Sequence, residues 1–390
     1  MISINQVTSV FEYFCKSAST YPEADFLHVP YEACKDYSST SIEMTYAEAY
    51  DYVKRVQAWY ESSGIKPGHR VALSLENRPV FFIHFLALNA IDVSIVPINP
   101  DLSISSTAYI LEDSSASVVL AIHSQVDKLR ASLSRISSNA TLVTLTNMFN
   151  DVPEQTISVC RDGSAPSGEA SLLYTSGTTG KPKGCILSNE YFLGVAGWYL
   201  SQEGYCKLEQ ACERLISPLP VYHSNALAWS FVSMIGCGGC IVMLDRFHPS
   251  SWWPSVVDSR ATIIHYLGVM PAILLSMEAK GDQNYGRQVK FGFGAGVDPR
   301  HHRAFEDRFG FPLIEAWAMT ETGAGAVVAA TVEPRHVGMR CFGRPGADLD
   351  YRILDEDGND VDSNESGHFV VRRNAEPYAK YFFDGYHNNP

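Results

Sequence analysis

Apolar positions along this chain alternate between helical and strand spacing. The segment 7–19 has the period of an amphipathic helix, and 47–61 has it again, closed by Gly64 and Pro67-Gly68. The run 70–75 is apolar enough for a short strand, and 79–90 is apolar nearly all round, which predicts a buried helix. Strand 94–98, helix 107–113 and strand 117–122 continue the pattern. It resumes with a strand at 170–174 and a helix at 190–200. Strands at 214–218, 240–244, 263–267, 289–293 and 313–316 then alternate with helices at 226–235, 252–258, 271–279 and 300–309. Such alternation predicts parallel sheets covered by helices. From about 331 the character changes. Short β-type runs between 337 and 373 are broken by Gly343, Pro345-Gly346, Asp355 to Gly358 and Gly367, which predicts a small antiparallel sheet or barrel.

One stretch could pass for a membrane span. Residues 226–244 carry no charge, but Gly236, Gly238 and Gly239 cluster near the middle. A buried helix, a glycine turn and a buried strand account for it better. The N-terminus lacks the basic-then-apolar pattern of a signal peptide.

Composition adds bounds. With 390 residues, 46% of them hydrophobic, the chain can form two or three packed units. A formal net charge of -13 argues against a general nucleic-acid or anionic-membrane binder. Nine scattered cysteines, an odd number, fit a reducing cytoplasm. Cys237-Gly238-Gly239-Cys240 has C-x-x-C spacing. No second pair and no two histidines at ligand spacing follow it, so it reads as a glycine turn with small buried thiols.

The candidate chemistry lies in a run that follows the strand at 170–174: Thr175, Ser176, Gly177, Thr178, Thr179, Gly180, Lys181, Pro182, Lys183, Gly184. Three glycines let backbone N–H groups approach phosphate oxygens, four hydroxyls add donors, and two lysines add charge. The spacing is not that of a Walker loop. The run resembles the phosphate loop of the adenylate-forming superfamily: acyl-CoA synthetases, luciferases and adenylation domains. Four further segments resemble that superfamily in the expected order. They are Leu219 to Asn225, Gly292 to Gly296, Glu315 to Thr322, and Gly343 to Gly346 with the β-type runs beyond. Residues 246–271 look most like the carnitine/crotonobetaine-CoA-ligase branch.

The resemblance implies an α/β fold of two mostly parallel, helix-covered sheets packed together, plus a small antiparallel β-barrel subdomain. It divides the chain at 1–169, 170–330 and 331–390. It also implies a reaction in which a carboxylate joins the α-phosphate of ATP, pyrophosphate leaves, and the acyl group passes to coenzyme A. The acid would be a small molecule. On this resemblance Thr175, Ser176, Gly177, Thr178, Thr179, Gly180 and Lys183 hold the phosphates, while Lys181 is solvated. Gly294, Ala295, Gly296, Glu315, Ala316 and Trp317 line the adenine site, with Trp317 standing where the family usually has Tyr. Thr320 donates to the α-phosphate and can also cap a helix. Glu321 is the Mg²⁺ ligand, a hard oxygen suited to that ion. His223 lies near the carboxylate, and His223, Trp229, Phe293 and Gly294 form the acyl pocket.

Other adenylating chemistry stays open: a carrier-protein loader, an amino-acid adenylation domain, a nitrite-activating diazotase, or a non-catalytic nucleotide-binding fragment. The amino-acid version is disfavoured because Ser224 to Leu227 contains no aspartate for an ammonium group. The family's ribose-binding aspartate and its C-terminal domain with the adenylation lysine have no counterpart in residues 1–390. The sequence is therefore expected to be the large N-terminal domain of a longer enzyme, able to fold but weakly active alone.

Overall fold

In a computed structural model of the chain, the described residues are 1–145, 152, 153, 155, 157, 159, 162–175, 180–278, 283–374 and 376–388. Strands β1 (Asp25–Val29) and β2 (Ile42–Thr45) come first. Then follow β3 (Arg70–Ser74), β4 (Ser94–Pro97), β5 (Val118–Ile122), β6 (Thr141–Leu145), β7 (Glu169–Thr175) and β8 (Lys183–Ser188). These six make one sheet, in the order β6-β5-β3-β4-β7-β8, parallel except for the β7–β8 pair.

The second sheet adds β9 (Arg214–Ser217), β10 (Cys240–Met243), β11 (Ile263–Leu267), β12 (Phe291–Ala295), β13 (Leu313–Trp317) and β14 (Val328–Ala329). Its eight strands run β14-β13-β12-β11-β9-β10-β1-β2, antiparallel only at the two edges. Last comes a two-stranded antiparallel ribbon, β15 (Leu349–Leu354) with β16 (His368–Arg373).

One expectation needs correction. The β region is a ribbon, with no closed barrel among the described residues. β16 alternates exposed and half-buried positions and β15 is exposed at its four central residues, so too few inward apolar side chains exist to fill a barrel. β7 and β8 complete the first sheet, while β1 and β2 join the second, where Leu27 pairs with Ile241. The buried Phe26, Leu27 and Val29 bind β1 there, beside a neighbour remote in sequence.

The expected helices are present, and Tyr31–Cys34 and Val126–Leu133 add two that the periodicity did not give. Tyr46–Ser62 starts with a reciprocal cap, Thr45 accepting from the Glu48 N–H and Glu48 from that of Thr45. Every residue of Pro79–Asn89 is buried, as its all-round apolarity requires. Phe82 stacks on Phe231 with centroids 3.9 Å apart, locking this helix to the segment after β9. That segment is π-helical over Asn225–Val232 and α-helical over Ser233–Cys237, then ends at left-handed Gly238. A Cβ on Gly238 would fall 2.4 Å from the Tyr21 ring, so the turn needs glycine twice over. Cys237 and Cys240 are buried on either side, and burial pushes both thiols up to about 12. No helix among the described residues is long and apolar enough to cross a membrane.

The first sheet carries a buried ion pair. Arg70 Nε and Nη2 donate to the Glu169 oxygens at 2.7 and 2.8 Å, with side chains 1% and 0% exposed.

Candidate active site

In a parallel sheet, ligands collect outside the carboxyl ends of the strands. The ends of β12 and β13 and the loop after β13 bound a cavity of about 210 Å³. Phe293, Gly294 and Ala295 come from β12, Ala316 from β13, and Thr320 from the loop. The π-helical segment adds Trp229 and Asn225, with Ser224 just before it. π-Helical turns insert a residue and are common at functional sites. Thr320 Oγ1 lies 3.5 Å from Ser224 Oγ, which sets two hydroxyls side by side at the cavity wall.

The glycine-rich segment at the end of β12 is shaped first by packing. A Cβ on Gly294 would meet the Tyr266 carbonyl at 2.2 Å, because β11 runs alongside. Gly296 is left-handed at φ 82° with open space around it. The buried Glu315 holds this loop. Its Oε2 accepts from the Gly296 N–H and its Oε1 from the Val297 N–H, both at 3.0 Å, with the Tyr266 hydroxyl donating at 3.2 Å. Glu315 thus holds the loop and does not line this cavity. Trp317 also stands outside the lining. Its ring meets Phe369 of β16 edge-on, with centroids 4.8 Å apart.

A second cluster lies around Tyr386. Thr175, at the end of β7, pairs with Lys183, at the start of β8, and Gly180 lies between them with φ 116°. Ser176, Gly177, Thr178 and Thr179 fall outside the described residues. Lys183 Nζ sits 4.9 Å from the centre of the Tyr386 ring, and Lys181 Nζ sits 5.0 Å from that of Tyr109. The Tyr386 hydroxyl donates to Glu321 Oε1 at 2.7 Å, and this bond to a carboxylate pushes the phenol up to about 12. Cys185 is buried near Thr175 and Glu321, and burial pushes its thiol up as well. Residues 384–387 run along β8, with backbone bonds from Asp384 to Ile186, Ile186 to Gly385, and His387 to Gly184.

The cavity cluster and the Tyr386 cluster meet at the adjacent residues Thr320 and Glu321. His223 stands apart from the cavity lining. It is exposed, tilts against Tyr222 at 4.9 Å between ring centres, and has its pKa lowered by desolvation from the surrounding protein.

Three contributors escaped the sequence analysis. Tyr386 reaches Glu321 from a distant segment. Asn77 stitches the loop after β3 to the loops after β9 and β10, donating to the Leu219 and Leu244 carbonyls and accepting from the Val221 N–H. Asn225 belongs to a buried polar network with His265 and Tyr199. None leaves a periodic or compositional trace. Their only signal is position beside a motif.

Glu321 suits Mg²⁺ on its donor chemistry. No group of three or more His, Cys, Asp and Glu gathers among the described residues. A single carboxylate is the kind of site Mg²⁺ takes when waters and substrate phosphates complete its shell.

The site thus lies at the strand ends of an α/β domain, with the β7–β8 pair beside it. The chain belongs to the AMP-binding enzyme family, whose profile matches residues 14–386. It is similar to the crotonobetaine/carnitine–CoA ligase of Citrobacter koseri, 27% identical over 85% of this chain and 65% of the relative. It is also similar to the sulfoacetate–CoA ligase of Cupriavidus necator, 29% identical over 80% of this chain and 61% of the relative. The chain therefore spans less than two thirds of the length of these two relatives. In fold it matches the inhibitor-bound N-terminal domain of FACL13 from Mycobacterium tuberculosis, with a TM-score of 0.78 and 20% identity over 98% of this chain and 92% of that one. ATP-bound MatB from Rhodopseudomonas palustris matches with a TM-score of 0.74 and 21% identity, over 97% of this chain and 72% of that one.

Proposed function

We propose that the chain is the adenylating domain of an acid–CoA ligase. An oxygen of a small carboxylic acid attacks the α-phosphorus of ATP, the bond to pyrophosphate breaks, and the acyl-adenylate then passes its acyl group to the sulfur of coenzyme A with loss of AMP. The observation that carries this reading is the cavity of about 210 Å³ bounded by Thr320, directly beside the cluster of Lys183 and Glu321. One compartment is apolar and fits an acyl group; the other is polar and fits phosphates. Aligning two anionic reactants demands such fixed donors and cations.

Thr320 donates to the α-phosphate, Lys183 to the outer phosphates, and the Glu315-anchored loop lies along the adenine. Glu321 would hold Mg²⁺, which supplies charge neutralisation on the phosphates when bound. The free cysteines among the described residues fit a reducing cytoplasm.

The two ligases named above take acids with a charged tail. In this chain none of the described residues lining the cavity is Asp, Glu, Lys or Arg, so a sulfonate there would lack a cationic partner. The proposed substrate is therefore uncharged apart from its carboxylate. Pyrophosphate exchange and thioester formation by a longer enzyme containing this domain, run with a panel of carboxylic acids and compared with and without coenzyme A, test the reading. Exchange with no acid in the panel would refute adenylation. Exchange without thioester would leave an adenylating enzyme with a different acceptor.

A further inference from the structure

The polar end of the apolar cavity has a built-in direction. Asn225 lines the cavity and is partly buried. Its Oδ1 lies 2.8 Å from His265 Nδ1. Ser230 Oγ is also 2.8 Å from that nitrogen and donates its one hydrogen to the Asn225 carbonyl at 3.0 Å. Two acceptors therefore converge on Nδ1, so Nδ1 carries the hydrogen. The Tyr199 hydroxyl, 3.1 Å away, then donates to Nε2.

His265, Ser230 and Tyr199 are all fully buried, and burial lowers the imidazole to about 3, which keeps it neutral at working pH. This network fixes the Asn225 amide. Its oxygen must face His265, and its NH₂ group is left over. Among the described residues Nδ2 has no hydrogen-bond partner. Trp229, Phe293 and Ala316 offer that NH₂ no acceptor side chain, while the Ser224 and Thr320 hydroxyls on the same wall face each other at 3.5 Å.

We propose that Asn225 determines specificity in this cavity by presenting its two N–H donors to an uncharged hydrogen-bond acceptor on the body of the acid. The proposal deepens the ligase reading and rests on it. A carbonyl, amide or ether oxygen satisfies the NH₂. A purely aliphatic acid leaves it without a partner, and a quaternary ammonium places positive charge against two donor hydrogens. The volume of about 210 Å³ adds that the acid is compact, since it falls below the usual range for drug-sized ligands.

The test compares acids with and without an acceptor: levulinate and N-acetylglycine against valerate, with γ-butyrobetaine as the cationic member. Binding to the chain is measured by calorimetry, and pyrophosphate exchange is run in parallel. The wild type should bind the acceptor acids ~10- to 100-fold more tightly than valerate, the size expected when a buried donor is otherwise left unpaired. Asn225→Asp keeps the oxygen that His265 needs and turns the donor into an acceptor, so it should abolish or reverse the preference. Asn225→Leu should bind valerate at least as well as levulinate, and Ser230 still pairs His265 in that variant. Urea midpoints of both variants verify that they fold.

No preference in the wild type, a preference that survives in both variants, tightest binding by γ-butyrobetaine, or no binding of any of these acids would each overturn the assignment. If the binding preference is found but no acid supports exchange by a longer enzyme containing this domain, the ligase reading falls and the role of Asn225 stands.

Discussion

Glu315 separates a loop-holding role from a ligand-touching one, and its removal has a size that follows from the geometry. The carboxylate is buried and takes the Gly296 and Val297 N–H groups on separate oxygens. The Tyr266 hydroxyl has a second acceptor, the Ile314 carbonyl at 3.2 Å, so it keeps a partner if Glu315 is lost. The two backbone N–H groups do not. In Glu315→Gln one oxygen becomes NH₂, and whichever way the amide turns, one N–H faces a donor. One orphaned donor costs about 1–3 kcal/mol, and Glu315→Ala, which orphans both, about 2–6 kcal/mol. Gly296 sits in a left-handed conformation that glycine tolerates but does not enforce, so the loop relaxes once its anchors are gone.

Urea unfolding reads the stability loss, and calorimetric binding of AMP reads the consequence at the site. An affinity loss of ~5- to 150-fold for Glu315→Gln matches 1–3 kcal/mol. Unchanged stability and unchanged affinity in both variants would refute the anchoring role. Lost stability with intact AMP binding would show that the loop lies outside the nucleotide site. Lost affinity at full stability would show that Glu315 touches the nucleotide itself.

Glu321→Gln should lower pyrophosphate exchange by orders of magnitude in an enzyme containing this domain, with little change in urea midpoint; unchanged exchange at saturating Mg²⁺ would remove the metal role. Lys183→Ala should raise the KM for ATP far more than that for the acid, and the opposite split would place the hairpin wrongly. Arg70→Met should destabilise by ~3–5 kcal/mol, because Glu169 stays buried without its partner, whereas Arg70→Met with Glu169→Leu should recover much of the loss; equal urea midpoints for the single and double variants would sink this. Burial holds His84 and His265 at about 3, below an unfolded value near 6.5, so the unfolded chain takes up protons that the fold refuses. Stability is then full above about pH 6.5 and falls as pH drops toward 3, by up to ~1.4 kcal/mol per pH unit for each histidine. His84→Leu should lower that slope by one proton, and an unaltered slope would show that His84 is not the group responsible.

The first sheet was largely legible because β3, β4 and β5 are short apolar runs separated by helices of unbroken period. β1 was not, since its partner β10 lies far along the chain and Asp25 and His28 disguise the apolar run; β2 was missed with it, being an edge strand paired to β1. β8 was hidden because it begins inside the glycine-rich loop at Lys183. The π-helical start of Asn225–Val232 leaves no mark in composition, and periodicity gave a plain helix. In the site, motif order put Thr320, Gly294, Ala295 and Ala316 around one cavity with Phe293 and Trp229. Motif membership could not distinguish a side chain that faces the cavity from one that anchors its wall. Glu315 holds the loop after β12 and Trp317 meets Phe369 of the ribbon, contacts that only packing reveals.

The strand order also bears on how the chain is made. β1 and β2 emerge early, yet β10, which β1 needs as a neighbour, lies roughly 200 residues further on. At a synthesis rate of ~5–20 residues per second, that gap lasts on the order of 10–40 s. Throughout it the two strands form at most a hairpin, which is marginal in water. The whole first sheet, complete at Ser188, is made inside this interval and before β9 begins. One sheet is thus nested within the other in time as well as in sequence. The apolar face of Phe26, Leu27 and Val29 is left waiting as the most exposed liability of the nascent chain. Ribosome-arrested chains released just before and just after β10 should differ sharply in aggregation and in protease resistance of the β1 region.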